Sequence, residues 1–376
     1  MRNIKKPSVS PNTNGLTSSS YSEKALYPIS DCSTSSSFCQ SFSECEELNK
    51  KFQPKKEKSL LLSEVYQRLK LDKKSERVSD CGSYLRFAHE LDLDTGAFSD
   101  KGKLHYANFC RDRLCPTCSW RKGLKLYSQI SRCIPEIVKN YKCLFLTLTV
   151  PNCSEQDFSK TIDRLMFAWN RLTKYKKFKT VIKGFFRILE VTRNKKNGSL
   201  HPHFHIILVV SKSYGKNDGF YFTRDEFLEL WKKAYQDENI TQVDIRLIRD
   251  KSICDISTCQ TEVSLNKAVR EVCKYTLKDS DFLNDKISQS EQDNLVFTLL
   301  HGLHHRRLAH FGGVFKEIFQ KLKLEDVEDE TCDLVHIDDT ISKTVALLIC
   351  SYGWGYGSYK LIDSYIDYQL DKKEVI

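Results

Sequence analysis

The stretch "HPHFHIILVV", residues 201–210, decides the fold predicted for this chain. Its second half is an unbroken run of apolar, mostly β-branched residues, which is typical of a buried strand. Pro202 favours extended backbone in the first half, because its ring fixes φ and disfavours the helical region for the preceding residue. Alternate side chains of a strand leave the same face of a sheet, so we predict that the three histidines form one row.

Metal binding is the chemistry that such a row of imidazoles indicates. His203 and His205 can share an ion, and a hairpin would bring Glu190 of the preceding strand beside them. Two nitrogens and one carboxylate leave open coordination positions, which suits Mn²⁺ or Mg²⁺ acting on a phosphate, and imidazole favours Mn²⁺. His201 is a further candidate ligand. The alternative is a structural row of histidines that hydrogen-bond across strands, with Glu190 solvated.

The segments around this strand alternate between the periods of strands and helices. A turn at 194–199, "NKKNGS", joins the histidine strand to the strand before it as an antiparallel hairpin. Thr223 and Glu226 occupy the positions of a helix capping box. Strands are predicted at 143–150, 184–194, 201–210 and 241–249, and helices at 59–70, 154–172, 223–236 and 264–278. This order predicts an α+β fold with a mainly antiparallel sheet and flanking helices.

Composition limits the class of protein. The chain of 376 residues carries a formal charge of +10, which favours a polyanionic partner. The N-terminus lacks the apolar core of a secretory signal, and the longest apolar run is far shorter than the roughly 20 residues of a membrane span. Fifteen cysteines, an odd number in a chain without such a signal, indicate reduced thiols. We therefore expect a cytoplasmic protein without a membrane partner.

A group of cysteines precedes the predicted sheet. The stretch "CRDRLCPTC" supplies Cys110, Cys115 and Cys118, and Cys81 offers a fourth thiolate. Four sulfurs form a closed tetrahedral Zn²⁺ site of the structural kind, so we predict a small zinc-binding module ahead of the sheet. Two alternatives remain, namely His105 in place of Cys81, or four unrelated thiols. The basic neighbours of the module are candidates for facing DNA: Arg111, Arg113, Arg121 and Lys122.

The last predicted helix, 264–278, carries three polar residues with catalytic potential. Glu271, Tyr275 and Lys278 are spaced by four and three residues, which places them on one helical face. An adjacent apolar face would dock the helix on the sheet. A tyrosine phenol is a poor nucleophile unless a metal or a cation stabilises its developing charge, and Lys278 and the metal are suited to that task. The alternative is an ordinary amphipathic helix.

Two basic stretches are candidates for DNA contact. The segment "RLTKYKKFK", 171–179, interleaves aromatic and cationic residues, which permits phosphate contacts and stacking on unpaired bases. The shorter segment "HHRR", 304–307, is similar. The alternative for both is a solvated charged surface. The candidate DNA-binding residues of the first stretch are Arg171, Lys174, Tyr175, Lys176, Lys177, Phe178 and Lys179.

Three of these segments, in this order, resemble the motifs of a known superfamily. They are "FLTLTV" (145–150), "HPHFH" (201–205) and "EVCKYTLKDSD" (271–281). The set resembles the HUH endonucleases and, within them, the plasmid rolling-circle replication initiators with a single catalytic tyrosine. The segments "CRDRLCPTCSWRK" and "RRLAHFGG" also resemble parts that flank the motifs in that family.

The resemblance implies a mechanism. His203 and His205, with Glu190, would hold Mn²⁺ or Mg²⁺ at the scissile phosphate of plasmid origin DNA. Tyr275 would attack, giving a 5′-phosphotyrosine and a free 3′-hydroxyl for the host DNA polymerase. The nicked strand and single-stranded DNA are then also partners. The sequence contains no G-x-x-x-x-G-K-[ST] loop, so a host helicase would unwind the duplex. Glu271, as our hypothesis, activates water for the closing cleavage.

Four segments follow from this interpretation. Residues 1–57 are rich in serine and are expected to be disordered, 58–135 hold a helix and the zinc module, 140–282 form the HUH endonuclease domain, and 283–376 have no assigned role. A transposase or relaxase with the same chemistry is the nearest alternative, and the single tyrosine and the cysteine module favour the initiator. A non-enzymatic DNA-binding regulator that contains zinc is the alternative of a different class.

Overall fold

The computed structural model describes residues 35–215, 221–249, 262–273, 277–284, 286–337 and 345–368. The helices in these ranges are α1 (Ser35–Arg68), α2 (Asp72–Asp80), α3 (Pro116–Asn140), α4 (Phe158–Leu172), α5 (Lys176–Val181), α6 (Arg224–Tyr235), α7 (Leu265–Val272), α8 (Asp279–Phe282), α9 (Gln289–Leu303) and α10 (Val314–Lys321). The strands are β1 (Tyr84–Glu90), β2 (Lys103–Ala107), β3 (Tyr141–Thr149), β4 (Ile182–Arg193), β5 (Leu200–Ser211), β6 (Val243–Arg249), β7 (Glu262–Ser264), β8 (Ala309–Gly313), β9 (Ala346–Gly355) and β10 (Ser358–Tyr368). No helix in the described ranges is long and apolar enough to cross a bilayer.

The larger sheet has six strands in the order β7-β6-β3-β5-β4-β8. Only the pairing of β6 with β7 is parallel, and all other neighbours are antiparallel. The predicted hairpin is confirmed as β4 and β5, and its register places Glu190 directly opposite His203. The α+β class with mainly antiparallel sheets and flanking helices is therefore confirmed.

Helices pack on the larger sheet through apolar side chains. On β5, Phe204 lies between two histidines and therefore points to the opposite face of the sheet. Trp169 of α4 packs against Phe204, with ring centroids 6.1 Å apart, so α4 covers the face without histidines. The N-terminus of α6 carries the predicted capping box, in which Thr223 and Glu226 satisfy each other's backbone N–H groups.

The smaller sheet joins two distant parts of the chain. Its order is β10-β9-β1-β2, with every pairing antiparallel. Strands β1 and β2 come from the cysteine-containing segment, whereas β9 and β10 form a hairpin from the aromatic and glycine-rich "SYGWGYGSYK" near the C-terminus. For example, Leu85 of β1 pairs with Tyr352 of β9. The cysteine-containing segment therefore shares its sheet with the end of the chain.

Helix α1 is much longer than the helix predicted at 59–70. It begins at Ser35, inside the stretch expected to be disordered. The reason is tertiary packing, because Leu48 and Phe52 are buried in a core beneath the smaller sheet. The ring of Phe52 lies edge-on to Trp120, with centroids 4.9 Å apart. Farther along α1, Lys55 and Lys58 each lie 2.8 Å from a carboxylate oxygen of Asp279.

Helix α7 is shorter than the helix predicted at 264–278. It ends at Val272, and its buried residues include Ala268 and Val269, as the apolar pattern predicted. Leu277 instead forms a parallel bridge with Val191 of β4. The following Lys278 has an extended backbone before α8. Pairing with β4 therefore competes with the local helical pattern, and the predicted common helical face for Glu271 and Lys278 is wrong.

Candidate active site

Glu190, His203 and His205 converge in the larger sheet. Nε2 of His205 lies 2.7 Å from Oε2 of Glu190, and Nε2 of His203 lies 3.4 Å from the same oxygen. The two Nε2 atoms are 3.2 Å apart. All three side chains are buried. Two nitrogens and a carboxylate oxygen thus converge, with all three donor atoms within 4.8 Å of one another, and this arrangement suits ligands to one ion.

The other ring nitrogen of each imidazole is held in place. Nδ1 of His203 donates to the carbonyl of its neighbour His201 over 3.1 Å, and Nδ1 of His205 lies 3.2 Å from Oγ1 of Thr147. The ring of His205 also stacks on Phe145 at 5.7 Å between centroids. Such contacts at Nδ1 orient metal-binding histidines and leave Nε2 for the ion. Both Nε2 atoms are accordingly turned toward Glu190.

Electrostatics keep the Glu190 carboxylate ionised. Burial raises its pKa, but hydrogen bonds from His203 and His205, together with their charge when they are protonated, outweigh burial and hold the pKa well below its usual range. An ionised carboxylate beside two imidazoles is an attractive site for a divalent cation. The donor set therefore fits the predicted Mn²⁺ or Mg²⁺.

His201 occupies a different environment. Its Nδ1 lies 2.8 Å from Oδ1 of Asn152, and burial, followed by the nearby charge of His203, lowers its pKa to about 4. It does not belong to the group of converging donors found among the described residues. The geometry thus brings together three of the four predicted ligands of the catalytic ion.

The residues of the third motif lie partly at this site. Oε1 of Glu271, on α7, is 3.9 Å from Nε2 of His205. Lys278 is exposed, and it belongs to a group of charges around Asp281. Burial raises the pKa of the Asp281 carboxyl. The positive charges of Lys278 and Lys195 lower this pKa, and the negative charge of Glu190 raises it. Tyr275 lies outside the described residues.

The four predicted zinc-binding cysteines also converge. Sγ of Cys81 lies 3.5 Å from Sγ of Cys118 and 3.6 Å from that of Cys115, and Cys110 is 3.6 Å from Cys118. Backbone N–H groups donate to the sulfurs, including that of Arg111 to Cys118 at 3.1 Å. These features fit a tetrahedral thiolate site. The cluster lies at the start of α3 and contacts α1 through Ser59.

The surroundings of this cysteine cluster correct two expectations. His105 packs beside His336, with ring centroids 6.3 Å apart, and is not a member of the cluster. Of the cations expected to face DNA, Arg121 is buried and donates to the carbonyls of Leu334 and Val335, so it is not available for DNA contact. Arg111 and Arg113 likewise donate to backbone carbonyls, of Glu330 and of Leu303 and Arg306.

The basic stretch at 171–179 lies away from the histidines. Phe178 is only 3% exposed and packs on Trp169, on the face of the sheet opposite the histidine row, so its ring is not available for base stacking. Lys177 is paired with Glu226 at 2.6 Å, and Tyr175 is half-buried. The remaining residues of the stretch retain exposed surface: Arg171, Lys174, Lys176 and Lys179.

Two residues that support the site were missed from the sequence. Thr147 holds His205, and Asn152 holds His201. The signal for Thr147 lay in the alternation of "FLTLTV", because its register places Thr147 directly opposite His205. Asn152 lies in a loop, where no periodic pattern marks it.

Comparison with known proteins identifies the family. A family model described as "Replication protein" matches residues 101–359. "Protein rep" of Bacillus amyloliquefaciens is 37% identical over 299 residues, covering 76% of this chain and 85% of that protein. "Protein rep" of a Bacillus species is 39% identical over 272 residues, covering 70% and 85%, and that of Streptococcus pneumoniae serotype 2 is 32% identical over 287 residues, covering 75% and 82%. No solved structure matches the chain.

The breadth of these matches decides the assignment. The family model spans more than half of the chain, and it includes all three motifs and the cysteines from Cys110 to Cys118. The relatives are aligned over most of their own length as well. The chain therefore belongs to the replication protein family, in agreement with the resemblance of its motifs to plasmid replication initiators.

Proposed function

We propose that this protein initiates plasmid replication by nicking one strand of origin DNA in a metal-dependent reaction. The observation that carries the proposal is the buried convergence of Glu190, His203 and His205 in a member of the replication protein family. The structural alternative expected Glu190 to be solvated, whereas its carboxylate is buried against the Nε2 atoms of both histidines. Such a group is suited to a divalent cation at a phosphate.

The catalytic ion would be held by His203, His205 and Glu190. When bound, Mn²⁺ or Mg²⁺ would supply Lewis-acid polarisation of the scissile phosphate. The protein contributes the orientation of the two imidazoles through His201 and Thr147, and burial of the ligands from water. Three protein donors would leave coordination positions of the ion for a phosphate oxygen.

Tyr275 is our proposed nucleophile. Its phenol oxygen forms a bond to phosphorus while the bond from phosphorus to the 3′-oxygen breaks, so one phosphodiester replaces another and a 3′-hydroxyl is released. Two described neighbours of Tyr275 support the assignment, because Glu271 lies 3.9 Å from His205 and Leu277 pairs with Val191, the residue after Glu190. Lys278 would stabilise the developing negative charge.

Glu271 is our proposed base for termination. A protein with one nucleophilic tyrosine needs a second nucleophile to end the cycle, and a carboxylate near the ion can activate water. The position of Glu271 beside His205 fits that role. Attack of water on the regenerated nick site would form a 5′-phosphate and free a 3′-hydroxyl. That 3′-hydroxyl would displace Tyr275 from the phosphotyrosine, so the released strand closes into a circle and the tyrosine is regenerated.

The remaining assignments concern metal, partners and location. We propose that Cys81, Cys110, Cys115 and Cys118 bind a structural Zn²⁺ ion. The partners would be plasmid origin DNA, the nicked strand and single-stranded DNA, and then host helicase and DNA polymerase in the cytoplasm. Residues 140–282 would form the endonuclease domain, with the exposed cations of the 171–179 stretch contacting phosphates outside the catalytic face.

The decisive experiment is a search for a covalent protein–DNA adduct. Supercoiled plasmid that carries the gene region would be incubated with the full chain and Mn²⁺, denatured and analysed for bound DNA. We expect an adduct with the wild type and none with Tyr275→Phe, while Tyr221→Phe, which alters an exposed tyrosine, should behave as the wild type. Absence of an adduct from folded wild-type protein would favour a DNA-binding regulator without nuclease activity.

A further inference from the structure

A third cluster of metal-binding residue types lies beneath the smaller sheet. It consists of Glu44 on α1, His89 on β1 and Cys350 on β9. One donor atom from each residue lies within 4.8 Å of the others, and Nε2 of His89 is 2.8 Å from Oε1 of Glu44. The three residues are far apart in the sequence and form no recognisable motif, so only the folding of the smaller sheet brings them together.

The outer contacts of this cluster resemble those of a metal centre. Nδ1 of His89 donates to the carbonyl of Ser99 over 2.7 Å, which leaves Nε2 as the donor that faces the cluster. The hydroxyl of Tyr352 donates to Oε2 of Glu44 over 2.7 Å and thereby orients Oε1. His89 and Glu44 are thus both held by a second partner, as the two catalytic histidines are.

Nε2 of His89 is buried 2.8 Å from Oε1 of Glu44 but without a well-aligned hydrogen bond. His89 is only 5% exposed, and Nε2 has no hydrogen-bond partner of suitable geometry among the described residues, although Oε1 of Glu44 is close. A buried polar nitrogen without an aligned partner is costly. A metal ion shared by this nitrogen and its neighbours would remove that cost.

Gly102 leaves room beside the donors. A Cβ atom at this position would lie 2.7 Å from Nε2 of His89 and 2.8 Å from Oε1 of Glu44, too close for either atom to stay where it is. Its φ is not in the left-handed region, so backbone conformation does not account for glycine here. The absence of a side chain keeps the space next to both atoms open.

We propose that Glu44, His89 and Cys350 bind a Zn²⁺ ion. A thiolate, an imidazole and a carboxylate are all ligands that zinc accepts, and the thiolate disfavours Mg²⁺ and Ca²⁺. The site is separate from the histidine cluster of the larger sheet and from the four-cysteine cluster, with which it shares no residue. Its ion would bind α1 to strands from both halves of the smaller sheet.

The test is the zinc content of the purified full chain after dialysis against metal-free buffer. Elemental analysis should show that Cys350→Ser and Glu44→Gln each lose about one zinc ion per chain relative to the wild type. Cys133→Ser, which alters a buried cysteine outside the three metal-binding groups found among the described residues, should lose none. Circular dichroism would verify that each variant is folded. Equal zinc content in folded Cys350→Ser and wild type would overturn the proposal and leave a metal-free ion pair of His89 with Glu44.

A further variant, Gly102→Ala, tests the site without removing a ligand, and the absorption of bound Co²⁺ gives a second measurement. Gly102→Ala retains all three donors but fills the space between them, so it should also lose about one zinc ion. In protein loaded with Co²⁺, the near-ultraviolet band from thiolate to cobalt should weaken in Cys350→Ser and stay unchanged in Cys133→Ser. An unchanged band in Cys350→Ser would contradict the proposal, whether or not the protein nicks DNA.

Discussion

The two sheets of this protein are assembled in opposite ways. In the larger sheet the proposed ligands of the catalytic ion come from the hairpin β4–β5, so Glu190 and His203 meet through a short turn. In the smaller sheet β1 pairs with β9, and α1 covers the core beneath. The first site is therefore organised by local chain connectivity, whereas the second region requires pairing between strands that are far apart in the sequence.

The largest effect should come from breaking the catalytic cluster. We expect Glu190→Gln to lower the rate of nicking by at least about 1,000-fold, because the neutral amide weakens cation binding at a site where the ion contributes several kcal/mol. Nicking of supercoiled plasmid across a series of Mn²⁺ concentrations would measure it. Glu229→Gln, at an exposed position, is the control. Normal nicking by Glu190→Gln would show that the cluster is structural.

Substitution of a cysteine in the four-cysteine cluster should have the largest effect on the stability of the protein. Cys118→Ala is expected to lower the free energy of unfolding by about 4 kcal/mol or more, since it would remove a structural metal and leave the three other thiols. Denaturant unfolding followed by tryptophan fluorescence would measure the loss, with Cys133→Ser for comparison. A smaller loss in Cys118→Ala than in Cys133→Ser would argue against bound zinc.

The aromatic core beneath the smaller sheet provides the next test. Phe52→Ala should cost about 3 kcal/mol, because the buried ring packs edge-on to Trp120, Phe87 and Tyr359. Amide hydrogen exchange should show faster exchange in β9 and β10, with β3 and β5 nearly unchanged. Equal loss of protection in both sheets would mean that they unfold as one unit and would contradict their separate assembly.

Substitution of Glu271 should distinguish the first nicking step from the terminating cleavage at the proposed catalytic site. Glu271→Gln should leave the first nicking step within a few-fold of wild type but slow the terminating cleavage by about 100-fold, equivalent to about 2.7 kcal/mol. The measurement is the ratio of covalent adduct to released circular product over time. Normal termination by this variant would refute the assignment of Glu271 as the base.

The smallest effect is expected at the N-terminal cap of helix α6. Thr223→Ala should destabilise the protein by about 1 kcal/mol, because it removes one half of the capping box at the start of α6. Thermal unfolding would measure the shift. Thr223→Ser, which keeps the accepting oxygen, should remain close to wild type, and a matching loss in both variants would assign the effect to something other than the cap.

Most of the larger sheet could be predicted from the sequence because its signals are local. Alternation in β3 to β6 and the helical period of α4 lie within single segments, and the hairpin turn brings Glu190 to the histidines. The end of α7 could not be predicted, because Leu277 pairs with a strand that is remote in the sequence. The smaller sheet was missed for the same reason, since its central pairing joins β1 and β9, which are far apart in the sequence.

The basic residues illustrate a second limit. Charge and aromatic content marked 171–179 and the arginines near the cysteines as DNA-binding, but composition does not show which cations already have partners within the fold. Arg121 and Lys177 have such partners, and Phe178 is part of the core. Sequence alone therefore predicted which histidines, carboxylate and cysteines converge better than which cations remain available to DNA. Ligand spacing is set by local geometry, whereas the availability of a surface charge depends on its neighbours in the fold.

The ion pairs of Asp279 with Lys55 and Lys58 have an evolutionary consequence. They connect α1 to the short segment that follows Tyr275, so residues from the first and the third quarter of the gene depend on each other. A recombination event with a breakpoint between these positions would combine lysines and a carboxylate that had not been selected together. We therefore expect hybrid genes from related replicons to be viable mainly when both sides of this contact are inherited from the same parent.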